Sequence, residues 1–91
     1  TKIGRNCNIA QGVTIAQANR GKNEGVPRID DEVWIGPSAV IVGNIKIGNN
    51  VLIATNAYVN FDVPENSVAV GNPAQITTNL NATQGYINHK I

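Results

Sequence analysis

The chain has 91 residues and a formal net charge of +1, so it forms one small domain at most. Twelve Ile and ten Val against two Leu, together with fourteen Asn and nine Gly, favour strands and corners and exclude an all-α fold. Scattered Lys and Arg and four aromatic residues argue against nucleic-acid binding, and no apolar run approaches the ~18 residues of a membrane span.

Apolar residues recur every six positions along most of the chain. The main row is Ile3, Ile9 and Ile15, then, after a break, Ile29, Ile35, Ile41, Ile47, Ile53 and Val59. A second apolar row lies four positions after the first: Cys7, Val13, Val33, Ala39, Ile45, Val51, Ala57 and Val63. A helix would repeat at three or four, whereas six is a multiple of the strand period of two. Each unit therefore reads as a short strand followed by a corner, and the Asn, Asp and Gly between the rows suit corners. An antiparallel sandwich, with strands at an irregular ~8–12-residue spacing, explains this fixed interval poorly.

One polar stretch interrupts the repeat. Ile15 and Ile29 are fourteen residues apart where one unit needs six, and residues 19–27 between them contain two Gly and a Pro. This composition predicts a loop that leaves the repeat at one corner. Two interpretations stay open for it, a tolerated surface insertion or an active-site flap.

The repeat ends in a closing segment at residues 64–76, which contains two prolines and Gly71. We predict a strand over 67–70 that covers the last exposed strand edge. Residues 77–91 are polar and carry no repeat, so they are expected to form a tail, as a short helix or strand or in disorder.

The units Ile-Gly-x-x-Val/Ala-x and the closing Gly71-Asn72-Pro73-Ala74 resemble the hexapeptide repeat of left-handed parallel β-helix acyltransferases. The resemblance covers about 2–76 and is nearest to serine O-acetyltransferases and sugar O-acetyltransferases. It implies an all-β triangular prism, the domain 1–76, with a protruding loop and about three coils of 18 residues at 2–19, 28–45 and 46–63. It also implies a homotrimer of parallel prisms that binds a small-molecule acceptor and holds the acyl donor between neighbours.

The resemblance further implies transfer of an acetyl group from acetyl-CoA, as co-substrate, to a hydroxyl of serine or of a sugar. A nucleotide-sugar N-acyltransferase and a non-catalytic β-solenoid scaffold are the alternatives, because a fold does not fix a function. We expect no metal, since no Cys and His have metal-ligand spacing, and no nucleic-acid or membrane partner. The single Cys7 cannot pair within the chain, so a cytoplasmic setting is expected.

Candidate donor-binding residues follow from the same resemblance. In the family, the pantetheine arm lies along coil corners with small side chains, which correspond here to Gly36-Pro37 and Ala54-Thr55. Phosphate contacts correspond to Arg20 and Lys22 in the loop, and the adenine end to Asn60 and Phe61. Trp34 lies between two inward positions and is expected to point out of the prism, towards a groove or a neighbouring copy.

The catalytic residues stay unassigned. The acceptor hydroxyl needs a general base, usually His, yet the only histidine is His89 in the tail, where a solvated role is favoured. The family's catalytic His lies on the coil before the one matched at 2–17, and its second His corresponds to Val26. We therefore expect the base upstream of Thr1, on an N-terminal coil or domain, which would also cover the exposed first strands.

Overall fold

The computed structural model describes residues 2–17 and 25–83, and within these two ranges all regular structure is β. None of the described residues forms a helix that could cross a membrane. The strands are short and run β1 (Lys2–Ile3), β2 (Asn8–Ile9), β3 (Thr14–Ala16), β4 (Arg28–Ile29), β5 (Val33–Ile35), β6 (Val40–Val42), β7 (Lys46–Ile47), β8 (Val51–Ile53), β9 (Tyr58–Val59), β10 (Ser67–Val70) and β11 (Gln75–Thr78).

The strands assemble into three sheets, which are the three faces of the molecule. The first face is β1-β4-β7, the second is β2-β5-β8 continued by β10 and β11, and the third is β3-β6-β9. All strand pairs are parallel except β10 with β11. Because successive strands visit the three faces in turn, the chain winds as a parallel β-helix. The predicted all-β class and β-helix architecture are confirmed.

The strand register follows the six-residue repeat. Ile29 pairs with Ile47, Ile35 with Ile53 and Ile41 with Val59, each 18 residues further along the chain. In the first set of strands the offset is eight residues larger, since Ile15 pairs with Ile41. The extra residues fall between Ala16 and Arg28 in the chain, where the loop at 19–27 was predicted; residues 19–24 of that loop lie outside the described ranges.

The repeated apolar residues fill the interior. Val33 and Ile35 are fully buried while Trp34 between them is half-exposed, which confirms the predicted alternation. Each such buried side chain contributes ~1.5–3 kcal/mol of hydrophobic stabilisation. In the first coil, Ile3 and Ile9 are 44% and 41% exposed, because β1 and β2 have a described neighbouring strand on one side only. Among the described residues, the first coil therefore presents an apolar open end.

Corners between the first and second faces, here called first corners, use a left-handed residue in each coil. Asn6, Glu32, Asn50 and Asn66 all have φ close to +57°. Asn tolerates this conformation because its short side chain bonds locally, whereas Glu has no such advantage. The predicted preference for Asn at corners is thus met in three of these four positions.

The last coil is closed by β10 and β11. β10 occupies the predicted residues 67–70 and adds to β8 in parallel. β11 then returns antiparallel to β10 and spans residue 76, where the closing segment was expected to end. Residues 79–83 fold back as turns, and Ala82 and Thr83 in them are buried.

Candidate functional site

Four of the predicted donor-binding residues meet at the second corner, which joins the second face to the third. Gly36-Pro37 and Ala54-Thr55 occupy this corner in successive coils. The Gly36 N–H donates to the Ile53 carbonyl at 2.8 Å, and the Asn56 N–H donates to the Pro37 carbonyl at 3.0 Å. A Cβ added at Gly36 would lie 2.7 Å from the Thr55 nitrogen, so the two corners stack too closely for a side chain there.

Small side chains line the outside of the second corner. Gly36 is buried, Ala54 is half-buried, and Pro37 and Thr55 are exposed. Where side chains are small, an extended ligand can approach the backbone closely and bond to it. This geometry suits a thin amide-bearing chain better than a bulky one.

The remaining predicted residues lie elsewhere. Asn60 and Phe61 follow β9 at the third corner, which joins the third face to the first, so the length of β9 separates them from Ala54-Thr55. Phe61 is half-buried and packs against the core, and Asn60 is exposed. Arg20 and Lys22 lie outside the described residues. The structure thus groups four of the eight predicted residues and leaves two at a neighbouring corner.

The returning end of the loop packs on the third corner. Gly25 has φ of +134°, and a Cβ added to it would lie 2.8 Å from Cβ of Asn44. Pro27 is buried, whereas Val26 between them is 43% exposed. Because Val26 has no titratable group, this end of the loop offers no general base.

Two clefts along the first face were not expected from the sequence. Their volumes are 470 Å³ and 330 Å³, and the larger one is lined by Asp30, Lys46, Gly48, Asn49, Asp62, Val63, Pro64 and Glu65. Asp30 Oδ1 lies 3.8 Å from Nε of Arg28, and Asp30 Oδ2 lies 3.6 Å from Nζ of Lys46. Because the Arg28 and Lys46 side chains are largely exposed, these ion pairs add little stability. Asp62 Oδ1 accepts the Lys46 N–H at 2.9 Å. The clefts contain none of the predicted donor residues, and the side chains of Asp30 and Asp62 each contact Lys46 of an adjacent coil.

Cys7 is half-buried in the first coil, and its Sγ donates to the Asp30 carbonyl at 3.1 Å. Burial raises the pKa of the thiol, and the nearby Asp31 carboxylate adds to the rise. A thiol held protonated is a poor nucleophile. Within 2–17 and 25–83, no group of three His, Cys, Asp or Glu side chains is placed to hold a metal ion.

The described coils match a known repeat. The family "Bacterial transferase hexapeptide (six repeats)" matches residues 27–60. Those residues run from β4 to β9, the strands whose inward Ile and Val pair at an interval of 18. Over these residues the chain carries the hexapeptide repeat of this family. This finding bears out the family to which the repeat pointed.

Among its relatives, this hexapeptide-repeat chain is similar to serine acetyltransferases. It is 42% identical over 74 residues to the serine acetyltransferase of Staphylococcus aureus strain Mu50; this match covers 81% of the present chain and 35% of the relative. It is 36% identical over 74 residues to serine acetyltransferase 4 of Arabidopsis thaliana, and this match covers 81% of the present chain and 21% of the relative. The chain thus spans about a third or less of the length of these relatives.

Solved structures show the same likeness. The serine acetyltransferase of Neisseria gonorrhoeae in complex with serine has a TM-score of 0.73 and 41% identity, over 80% of this chain and 30% of that one. A serine acetyltransferase in complex with CoA has a TM-score of 0.68 and 38% identity, and the match covers 78% of the present chain and 28% of that one.

Proposed function

We propose that this hexapeptide-repeat chain is the β-helix of an acetyl-CoA-dependent O-acetyltransferase that acts on a hydroxyl of serine or of a sugar. One observation carries the proposal. Over about four fifths of its length, the chain is similar in sequence and in structure to serine acetyltransferases, including one in complex with CoA. In the reaction, the acceptor oxygen attacks the thioester carbonyl as its proton passes to a general base, the C–S bond breaks, and CoA leaves as the thiol.

The finer architecture is part of the same proposal. The prism is left-handed, with three coils at 2–19, 28–45 and 46–63, in a domain that covers 1–76 and is followed by a tail at 77–91. The loop at 19–27 acts as an active-site flap rather than as a neutral insertion. The packing of Gly25 on Asn44 supports this role, because it fixes the returning end of the loop beside a corner.

Donor binding uses two corners and the loop. The pantetheine arm runs along Gly36-Pro37 and Ala54-Thr55, whose close stacking and small side chains support this path. Arg20 and Lys22 contact the phosphates of acetyl-CoA, and Asn60 and Phe61 border the adenine. The packing of Phe61 against the core supports a fixed position for its ring at this corner.

The general base comes from a coil upstream of Thr1, on an N-terminal coil or domain that stacks on β1, β2 and β3. Two observations support this assignment. The exposed Ile3 and Ile9 form an apolar surface of the kind that a further coil would bury. Val26, the position that corresponds to a family histidine, cannot transfer a proton.

The proposed enzyme is a cytoplasmic homotrimer that binds acetyl-CoA and a small-molecule acceptor and needs no metal. A domain of 91 residues buries only a limited fraction of its surface by itself, and association of copies adds to that burial. In such a trimer the donor lies between neighbouring prisms.

Acetyl transfer is tested by incubating the full-length protein with acetyl-CoA and either L-serine or a panel of sugars, and following the release of CoA thiol. We expect release with one acceptor class only. Lys22→Ala and Arg20→Ala should raise KM for acetyl-CoA about tenfold, and less for its 3′-dephospho form, because the lost contact is to phosphate. Arg28→Ala, on the first face, is the matched control and should leave KM unchanged.

Other outcomes select the alternatives. Thiol release only with an amino sugar nucleotide would identify an N-acyltransferase. No release with any acceptor, together with no rise in melting temperature on addition of acetyl-CoA, would leave a scaffold and refute the proposal.

A further inference from the structure

The strand that ends the sheet of the second face has an edge without a described neighbour. β11 pairs antiparallel with β10, and within 2–17 and 25–83 no strand lies on its other side. Natural edge strands usually carry a charged residue or a Pro that keeps another chain from pairing with them. β11 has neither, and three of its four residues are β-branched, which favours an extended backbone: Gln75, Ile76, Thr77 and Thr78. The edge of β11 is therefore suited to accept a further strand.

The backbone groups on this edge belong to Ile76 and Thr78. The Ala69 carbonyl of β10 accepts an N–H of the coil below at 2.9 Å, so the backbone groups of Ala69 point towards β8. Backbone groups alternate in direction along a strand, so the neighbours of Ala69 point the other way and bond to Gln75 and Thr77 of β11. By the same alternation, the N–H and C=O groups of Ile76 and Thr78 point away from β10, along the free edge.

The surroundings of this edge are uncharged and partly apolar. Residues 66–83 contain no charged side chain. Val70, which pairs with the first residue of β11, is 52% exposed, and Leu80, two residues past the end of β11, is 75% exposed. Exposed apolar side chains at both ends of an unpaired edge are typical of an interaction surface.

The absence of charge from residues 66–83 indicates what binds the edge. Like charges directly opposite each other destabilise a strand pair, so a charged edge repels its own copy, whereas an uncharged edge does not. An antiparallel pair of identical strands has two-fold symmetry and needs only one surface on each copy. We infer that β11 of one copy of this chain pairs antiparallel with β11 of a second copy.

The direction of the backbone groups fixes the register of this pair. Thr77 lies opposite the partner's Thr77, and Ile76 lies opposite the partner's Thr78. In this register every outward N–H and C=O of Ile76 and Thr78 meets an opposite group of the other copy. The two Thr77 residues form a pair without hydrogen bonds between them, with both side chains on the outer side of the second face.

This contact joins prisms end to end and does not rest on the proposed function. In the proposed homotrimer of parallel prisms, each copy would present its β11 edge at the same end. Pairing would then join two trimers, and the contacts would strengthen one another because they form together.

A disulfide across the two-fold axis tests the register. Opposed residues without hydrogen bonds between them have Cα atoms about 4.5 Å apart, which a disulfide can span. In a full-length protein that keeps no other cysteine (Cys7→Ala), Thr77→Cys should form a covalent dimer on mild oxidation at least about tenfold faster than Thr78→Cys. Thr78→Cys is the matched control, because the two copies of this residue lie opposite Ile76 and are too far apart to be bridged. Electrophoresis without reductant measures the dimer.

Sedimentation of the full-length protein tests whether the contact forms without a crosslink. We expect the wild type at twice the mass of Thr77→Lys, which places two like charges opposite each other. Thr14→Lys adds the same charge at an exposed strand position of the first coil and should keep the mass of the wild type. Circular dichroism confirms that each variant is folded, and the oxidation of Thr77→Cys still decides the question if Thr77→Lys does not fold.

Two results would overturn the inference: equal oxidation of the two cysteine variants, or equal mass of the wild type and folded Thr77→Lys. The edge would then bind a different peptide, another segment of the chain, or nothing. Acetyl transfer by a protein that shows no pairing would overturn this inference alone. Pairing without acetyl transfer would refute the proposed function alone.

Discussion

Asn50 fastens Thr83 to the last coil although 33 residues separate them in the chain. Asn50 Oδ1 accepts hydrogen bonds from Thr83 Oγ1 at 2.6 Å and from the Thr83 N–H at 3.3 Å. Asn50 Nδ2 donates to Asn66 Oδ1 at 2.8 Å and to the Leu80 carbonyl at 2.9 Å. One amide therefore uses all four of its hydrogen-bonding capacities, three of them to hold the segment 79–83 against the last coil.

Asn50→Asp should destabilise the fold by about 1–3 kcal/mol, because a carboxylate would lose both donors and face two acceptor oxygens. Urea unfolding followed by circular dichroism measures the change. Asn49→Asp is the control, since Asn49 is exposed and uses its Oδ1 as an acceptor from the Asp31 N–H, a role that a carboxylate keeps. Equal losses for both variants would show that the Asn50 network does not hold the segment.

Ile35→Ala should cost about 2–5 kcal/mol, because it opens a cavity between Ile9 and Ile53 in the same column. Ile9→Ala removes the same atoms from the open end, where the side chain is 41% exposed, and should cost far less. Thermal unfolding of the isolated 91-residue chain compares the two. Similar losses would contradict an open end and mean that another element covers Ile9.

Glu32→Asn should stabilise the protein by about 0.5–1 kcal/mol, since φ of +57° is less costly for Asn than for Glu. It would also extend the run of asparagines at the first corner. Asp31→Asn is the control. It makes the same change of charge at the preceding residue, which has no positive φ, and it keeps the side-chain oxygen that accepts the Arg5 N–H. If both variants gain equally, relief of charge rather than of backbone strain explains the effect.

Gly36→Ala should lower the free energy of unfolding by about 1–3 kcal/mol, because the new Cβ would press on the Thr55 nitrogen and separate two stacked coils. In the proposed enzyme it should also raise KM for acetyl-CoA. Thr55→Ala, at an exposed side chain of the same corner, should change the melting temperature little. A melting temperature unchanged by Gly36→Ala would mean that the corner has room for a side chain.

Cys7 should react slowly with iodoacetamide at neutral pH. Burial, and then the Asp31 charge, raise the pKa of its thiol, so the reactive thiolate appears only at higher pH than for a cysteine peptide. Alkylation rates from pH 7 to 10 followed by mass spectrometry give the midpoint, and Asp31→Asn should lower it. A midpoint at or below that of the protein in denaturant would contradict the shift.

Much of the fold was predictable because the repeat is local. Side chains six residues apart share an orientation, so Ile29, Ile35 and Ile41 could be assigned to the interior before their partners were known. β10 could be placed at 67–70 because the prolines and Gly71 mark the segment that ends the repeat. β11 and the buried Thr83 could not, because residues 75–83 have no repeat and owe their structure to bonds with β10, Asn50 and Asn66.

The candidate site was predictable only in part. The family resemblance assigned Gly36-Pro37 and Ala54-Thr55 to one binding path, and the structure stacks them. It could not bring Asn60 and Phe61 into the same group, because β9 crosses the third face between the two corners. The clefts beside Asp30 gave no sequence signal, since three separate segments form them.

The sequence by itself determined which side chains face inward, because a period of six fixes orientation in every unit whatever lies next to it. Only the tertiary structure decided how exposed each unit is, as Ile9 and Ile35 show, and that the described charged residues, scattered in sequence, lie along the first face and the corners that flank it. Both depend on which coils stack on which, and stacking is a relation between residues 18 or more positions apart that no local pattern contains.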